Sequence, residues 1–369
     1  MHDTTVLVIV IATALAFDFT NGFHDTANVV ATSISTRAVS PRLAIGLASA
    51  LNFVGAFLSL KVAAVVGKGI VAPASVTLTI VFGGLVGAIC WNLATWYFGL
   101  PSSSSHALIG GVVGAAFAAH GADAVLGEGL LGKVVVPALI APILAFAVAG
   151  AAILVVYRIV GRLRPGPAKR GFRLGQLATG GLLALAHGTN DAQKTMGIMT
   201  LALIASGNLS AAASTPDWVK VSAAAAIALG TYSGGWRIIK TMGSRIIKMD
   251  AAQGFSAQSA GAAVILTASH FGYPLSTTHV ISWGVIGAGA ARRLSAVRWG
   301  VAGNIAVAWL LTLPAAAVVG AAVYEVTELF GGGAAGPVVV SAIGLVAIAL
   351  ILMRRLQMTS GARAAAAAE

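Results

Sequence analysis

Asp25 and Asp191 occupy matching places in two polar stretches, each set inside a long apolar run. The first stretch is Asn21-Gly22-Phe23-His24-Asp25-Thr26-Ala27-Asn28. The second is His187-Gly188-Thr189-Asn190-Asp191-Ala192-Gln193-Lys194. A carboxylate at membrane depth costs at least ~2.5 kcal/mol on insertion scales, so it is seldom idle. Asn21, Asn28, Asn190 and Gln193 add hard oxygen ligands that suit a small coupling cation; protonation would remove the carboxylate charge instead. The plain structural use of the same carboxylates is to bond backbone amides freed by a helix break. His24, beside Asp25, can tune it or carry a proton, since an unperturbed imidazole titrates near ~6.5. Lys194 follows Asp191 by three residues, which allows either a local ion pair or a cation facing a substrate anion. Asp18 has no counterpart at Ala184 or Leu185 and reads as structural or accessory.

A second pair of segments carries hydroxyls. Leu100-Pro101-Ser102-Ser103-Ser104-Ser105-His106 returns, without a gap, as Tyr273-Pro274-Leu275-Ser276-Thr277-Thr278-His279. Proline suits the first turn of a helix, where unpaired N–H groups and the dipole favour an anion. Ser103, Ser104, Ser105, Ser276, Thr277 and Thr278 add hydroxyl donors that also accept a proton from a protonated oxyanion. N-capping and Ser/Thr packing between helices would use the same residues. Two copies, each followed by a histidine and each paired with an aspartate motif, favour the anion site. His106 and His279 leave ligand contact, proton relay and structural support all open.

The elements that hold these residues are membrane helices. Of 369 residues, 58% are hydrophobic and only 9% charged, against roughly 25% charged in a soluble domain. Apolar segments run 4–36, 43–66, 76–98, 101–119, 131–156, 174–206, 219–236, 252–272, 274–291, 299–323 and 337–353, and predict eleven crossings, with the first retained rather than cleaved as a signal. The single Cys90 excludes a disulfide framework and a cysteine metal site. The net charge of +12 fits basic cytoplasmic loops rather than a nucleic-acid surface.

The basic linker 158–173 fixes orientation by the positive-inside rule. Counting outwards from it places 18 of the 23 Lys/Arg inside, with the N-terminus outside and the C-terminus cytoplasmic. Loops after equivalent segments carry opposite bias: Arg37 and Arg42 against Asp217, and Asp123 and Glu128 against Arg292, Arg293 and Arg298. The expected fold is therefore an all-α polytopic membrane protein of two inverted-topology repeats, with discontinuous helices and re-entrant hairpins. The predicted division is a first repeat 1–157, a linker 158–173, a second repeat 174–324, and an extra C-terminal helix and tail 325–369. Inverted repeats with polar, broken helices point to a secondary transporter with its site near the midplane. An intramembrane hydrolase would need one nucleophile–base pair; the chain offers two symmetric clusters and no GxSxG elbow. A channel is the third reading, separable by conductance far above carrier turnover.

These blocks resemble the PiT family of inorganic phosphate transporters, whose two signatures are matched by Gly22 to Asn28 and Gly188 to Lys194. Leu100 to His106, Ser276 to His279 and Gly234-Gly235-Trp236-Arg237-Ile238-Ile239-Lys240-Thr241 look especially like the bacterial low-affinity phosphate permeases. The resemblance implies phosphate uptake by alternating access in a bacterial inner membrane, by a homodimer, with no enzymatic step and no cofactor beyond H+ or Na+. It also implies that Asp25, Asn28, Ser103, Ser104, Ser105, Asp191, Ser276, Thr277 and Thr278 surround phosphate and the coupling ion. His24 replaces an asparagine, and Gln193-Lys194 replaces a Ser/Ala-Asn ending, of the sodium-coupled eukaryotic members. Both departures point to protons. Sodium coupling and sulfate transport remain the alternatives.

Overall fold

The computed structural model describes residues 2–160, 165–331 and 333–347. The helices are α1 (His2–Ser35), α2 (Pro41–Gly55), α3 (Lys61–Lys68), α4 (Leu78–Phe98), α5 (Ser104–His120), α6 (Gly127–Leu130), α7 (Val136–Val160), α8 (Pro165–Ala205), α9 (Asp217–Ser233), α10 (Trp236–Lys240), α11 (Ala251–His270), α12 (Thr277–Ala290) and α13 (Trp299–Glu328). A shorter apolar helix, Ala335–Ala347, follows. Residues 348–353 of the expected last helix, the basic tail beyond them and linker residues 161–164 lie outside the described residues.

The polarity is inside out. Leu139, Ile143 and Ile159 of α7 and Leu310 and Val318 of α13 are exposed, while Asp18, Asn52, Gln193 and Lys194 are buried. Lipid tails are as apolar as leucine, so helices of such a protein associate through close packing and polar contacts instead.

The packing keeps its pattern when the halves are exchanged. The pair α4 and α5 packs on α13, and the pair α11 and α12 on α7; α1 lies against α9 and α8 against α2; α1 and α8 meet each other.

The helices do not break at the aspartate motifs. Expected there, the breaks lie elsewhere, because α1 and α8 run unbroken through Asn21–Asn28 and His187–Lys194. The motifs contain no proline, and their hydroxyls and amides bond back onto the helix: Thr26 Oγ1 to the Gly22 carbonyl at 2.7 Å, Thr189 Oγ1 to that of Leu185 at 2.7 Å, Gln193 Nε2 to that of Thr189 at 2.5 Å. The glycines serve close approach. A Cβ on Gly22 would stand 2.3 Å from the Ile227 carbonyl oxygen of α9, and one on Gly188 would stand 2.1 Å from that of Asn52 in α2.

The actual interruptions fall between α2 and α3, between α9 and α10, and at the two hydroxyl segments. Among the described residues, five helices are long and apolar enough to cross, against the eleven crossings expected: Thr4–Ser35, Leu78–Phe98, Ser104–Ala124, Gly127–Val160 and Trp299–Glu328. Helices α2, α9 and α12 have 15, 17 and 14 residues, short of the ~20 a ~30 Å hydrocarbon layer requires.

Candidate functional site

Each hydroxyl segment is a short extended run that ends in a helix N-terminus. Gly99 (φ +68°) closes α4, and α5 begins at Ser104; Gly272 (φ +80°) follows α11, and α12 begins at Thr277. The residue before each helix has the same role. Ser103 Oγ accepts the His106 N–H at 3.1 Å, and Ser276 Oγ accepts that of His279 at 3.3 Å. Ser103 and Ser276 are therefore caps. Ser104 Oγ is buried without a partner. The two N-termini meet: Ser105 Oγ donates to the Leu275 carbonyl at 3.2 Å, and the His106 and His279 rings lie 4.8 Å apart, edge to face. His279 also lies 4.1 Å from the Trp309 ring. Each helix start aims unpaired N–H groups and the positive end of its dipole towards this junction.

The aspartates come from the other side. Thr278 Oγ1 donates to Asp25 at 3.3 Å and Thr277 Oγ1 to Asp191 at 2.9 Å. Asn28 Nδ2 donates to Thr278 at 2.9 Å and Thr277 at 3.4 Å. Lys194 makes an ion pair with Asp191, three residues earlier on α8, and also donates to Ser105 Oγ at 2.5 Å and the Leu275 carbonyl at 2.7 Å. One ammonium thus joins α8 to both hydroxyl segments. His24 Nδ1 lies 2.7 Å from Asp25, and its Nε2 3.1 Å from Thr95 Oγ1 and 3.4 Å from Ser102 Oγ.

Motif residues 166 positions apart therefore share one buried centre. Asp25, Asp191, Asn28, Lys194, Ser104, Ser105, Thr277 and Thr278 are all at most 3% exposed. The other amides point away from it. Asn190 donates to Ser269 Oγ at 2.9 Å and the Tyr273 carbonyl at 3.2 Å. Gln193 Oε1 accepts the N–H groups of Val62 and Ala63 at 3.0 and 3.3 Å, at the start of α3. Asn21 is buried on α1 with its Oδ1 unpartnered.

Sequence reasoning quoted His187 but gave it no role. It links two elements: Nε2 lies 2.9 Å from Asp191 Oδ2, and Nδ1 lies 3.2 Å from Asn52 Oδ1, whose Nδ2 donates to Thr231 at 2.8 Å. The i, i+4 spacing of His187 and Asp191 was the available signal; Asn52, on α2, carried none. Asp25, His187 and Asp191 each offer a ligand atom, and these lie within 4.8 Å of one another. The sequence offered Asp25 and Asp191 as ligands of a coupling cation; the structure adds His187 to them, and this trio is where a cation could be held. A centre with carboxylates on one wall, and hydroxyls and two helix N-termini on the other, can receive an oxyanion and a cation together.

The profile described as "Phosphate transporter family" matches residues 21–320. A probable low-affinity inorganic phosphate transporter of Mycobacterium bovis is 53% identical over 89% of this chain and 79% of its own. One of Rhizobium meliloti is 48% identical over 88% and 97%, and one of Bacillus subtilis 44% over 87% and 97%. Among solved structures, one titled "The sodium-dependent phosphate transporter" aligns with a TM-score of 0.81 at 25% identity, over 88% of this chain and 99% of that one.

Proposed function

This chain belongs to the phosphate transporter family, and from that premise we propose that it takes up inorganic phosphate by alternating access, driven by protons. The family function is transport of phosphate, which is not enzymatic, and no residue is assigned a chemical step. The carrying observation is the junction of two capped helix N-termini with Asp25 and Asp191. Ser104, Ser105, Thr277, Thr278 and the helix N–H groups would hold the oxyanion, with Asn28 and Lys194 at its edge. Ser103 and Ser276 shape the site as caps. Asp25 and Asp191 set its charge requirement: a phosphate anion beside two carboxylates and one ammonium must arrive with a cation. The exchange symmetry of the helix packing supports two inverted repeats, each giving one wall, and rocking between them would open the site to either side. His24, His106 and His279 would orient the hairpins or relay protons. Homodimerisation and residence in a bacterial inner membrane, N-terminus out, complete the proposal.

Proteoliposome uptake of labelled phosphate under separately imposed proton and sodium gradients tests this reading. Accumulation driven by the pH gradient is expected. A folded protein that accumulates phosphate under neither gradient sinks it. The solved structure with the same fold is titled sodium-dependent, so sodium is the specific second reading, and uptake driven by sodium alone would select it.

A further inference from the structure

We infer that Asp18 is the seat of the transported proton. The inference deepens the proton-coupling reading above and rests on it. Asp18 is 0% exposed and makes no ion pair among the described residues. Its hydrogen-bonding neighbours are the neutral side chains of Thr195 and Asn21, and Asn21 Oδ1 is buried without a partner of its own. A buried carboxylate with only neutral partners holds a proton or has a cation against it. One proton on Asp18 gives Asn21 Oδ1 or Thr195 Oγ1 a donor. By contrast, Asp25 is engaged by His24 and Thr278, and Asp191 by His187, Thr277 and Lys194. Of the three carboxyls at this depth, Asp18 is the one with room for a proton that comes and goes.

Its position couples it to the anion. Asp18 lies two helical turns before Asp25, roughly 10 Å along α1 at 1.5 Å per residue. The charged groups that face it are Asp191 and Lys194 of α8. Of the other helices packed on α1, α5 and α12 bring the buried His106 and His279 to the hydroxyl junction, while Arg42 on α2, Cys90 and Tyr97 on α4, Asp217, Lys220 and Tyr232 on α9, Arg237 and Lys240 on α10 and His270 on α11 lie at or near the surface. Loading Asp18 therefore acts on Lys194, whose ammonium ties Ser105 to the Leu275 carbonyl.

The test uses Asp18→Asn in proteoliposomes. One pH unit equals a tenfold concentration ratio in free energy, so wild-type protein should accumulate phosphate about tenfold per unit for each proton carried. In Asp18→Asn that accumulation should fall to about onefold, while phosphate–phosphate exchange at equal pH persists and loses its pH dependence. Asp18→Glu should restore both. Wild-type accumulation in Asp18→Asn overturns the inference and leaves the proposed function standing; absence of pH-driven accumulation in the wild type removes both. Should Asp18→Asn not fold, a hydrophobic carbodiimide, which attacks protonated carboxyls in apolar surroundings, is applied to the wild-type protein. Peptide mapping is expected to find the adduct on Asp18, with less label at high pH. Adducts confined to Asp25 or Asp191 overturn it.

Discussion

Adjacent serines in one cluster do different work. Ser103 caps α5, and Ser104 has a free hydroxyl. Ser103→Ala should therefore lower stability by about 0.5–2 kcal/mol, the usual worth of a cap, seen as a lower melting temperature in detergent. Ser104→Ala should leave the melt unchanged and weaken phosphate binding by about 1.5–3 kcal/mol, the range for a hydrogen bond to a charged group, measured by equilibrium binding. Equal effects of the two on both readouts would contradict this division. Lys194→Met leaves Asp191 buried without its ammonium and should cost about 3–5 kcal/mol of stability. Adding Asp191→Asn to it should cost less than the two single losses together, as contact partners do.

Among the elements, α1 and α8 hold the aspartates of the candidate site on continuous helix where the motif looked like a break. Their glycines let α9 and α2 come close enough for backbone contact, which fixes Asp25 and Asp191 towards each other. Gly22→Ala and Gly188→Ala would each force a methyl against a carbonyl oxygen at 2.3 and 2.1 Å. Each should cost about 1–3 kcal/mol by overpacking, read as a melting shift. Gly46→Ala on α2, where an added Cβ meets nothing within 4 Å, should be silent. A matching loss at Gly46 would show that the effect is not packing.

For the whole molecule, the proposed inverted repeats put equivalent loops of opposite charge bias on opposite sides of the membrane. In a Cys90→Ser background, Asp123→Cys should react with an impermeant maleimide from outside the cell, and Ser295→Cys only after the membrane is opened. Labelling of both from one side would refute the inverted arrangement. The same symmetry explains why the site needs both halves: the α12 hydroxyls bind the aspartates of α1 and α8, and Lys194 of α8 binds Ser105 of α5. An isolated half should neither bind phosphate nor resist protease.

Much of this was legible in the chain because burial in lipid makes polar residues scarce. When 9% of residues are charged, a duplicated aspartate or hydroxyl cluster stands out, and its type restricts the chemistry. The sequence by itself thus determined the helical membrane class, the family likeness and the pairing of Asp25 with Asp191 and of both with the hydroxyl segments. Three things were decided only by the tertiary structure. The motif helices continue, because glycine and back-bonding hydroxyls there serve packing, a contact that composition does not reveal. His187, Asn52 and Thr231 join the site from three helices, and contacts so far apart in sequence leave no local pattern. Asp18 lost its apparent ordinariness because a carboxylate is defined by its partners, and only the packed interior shows that its hydrogen-bonding neighbours, Thr195 and Asn21, are neutral.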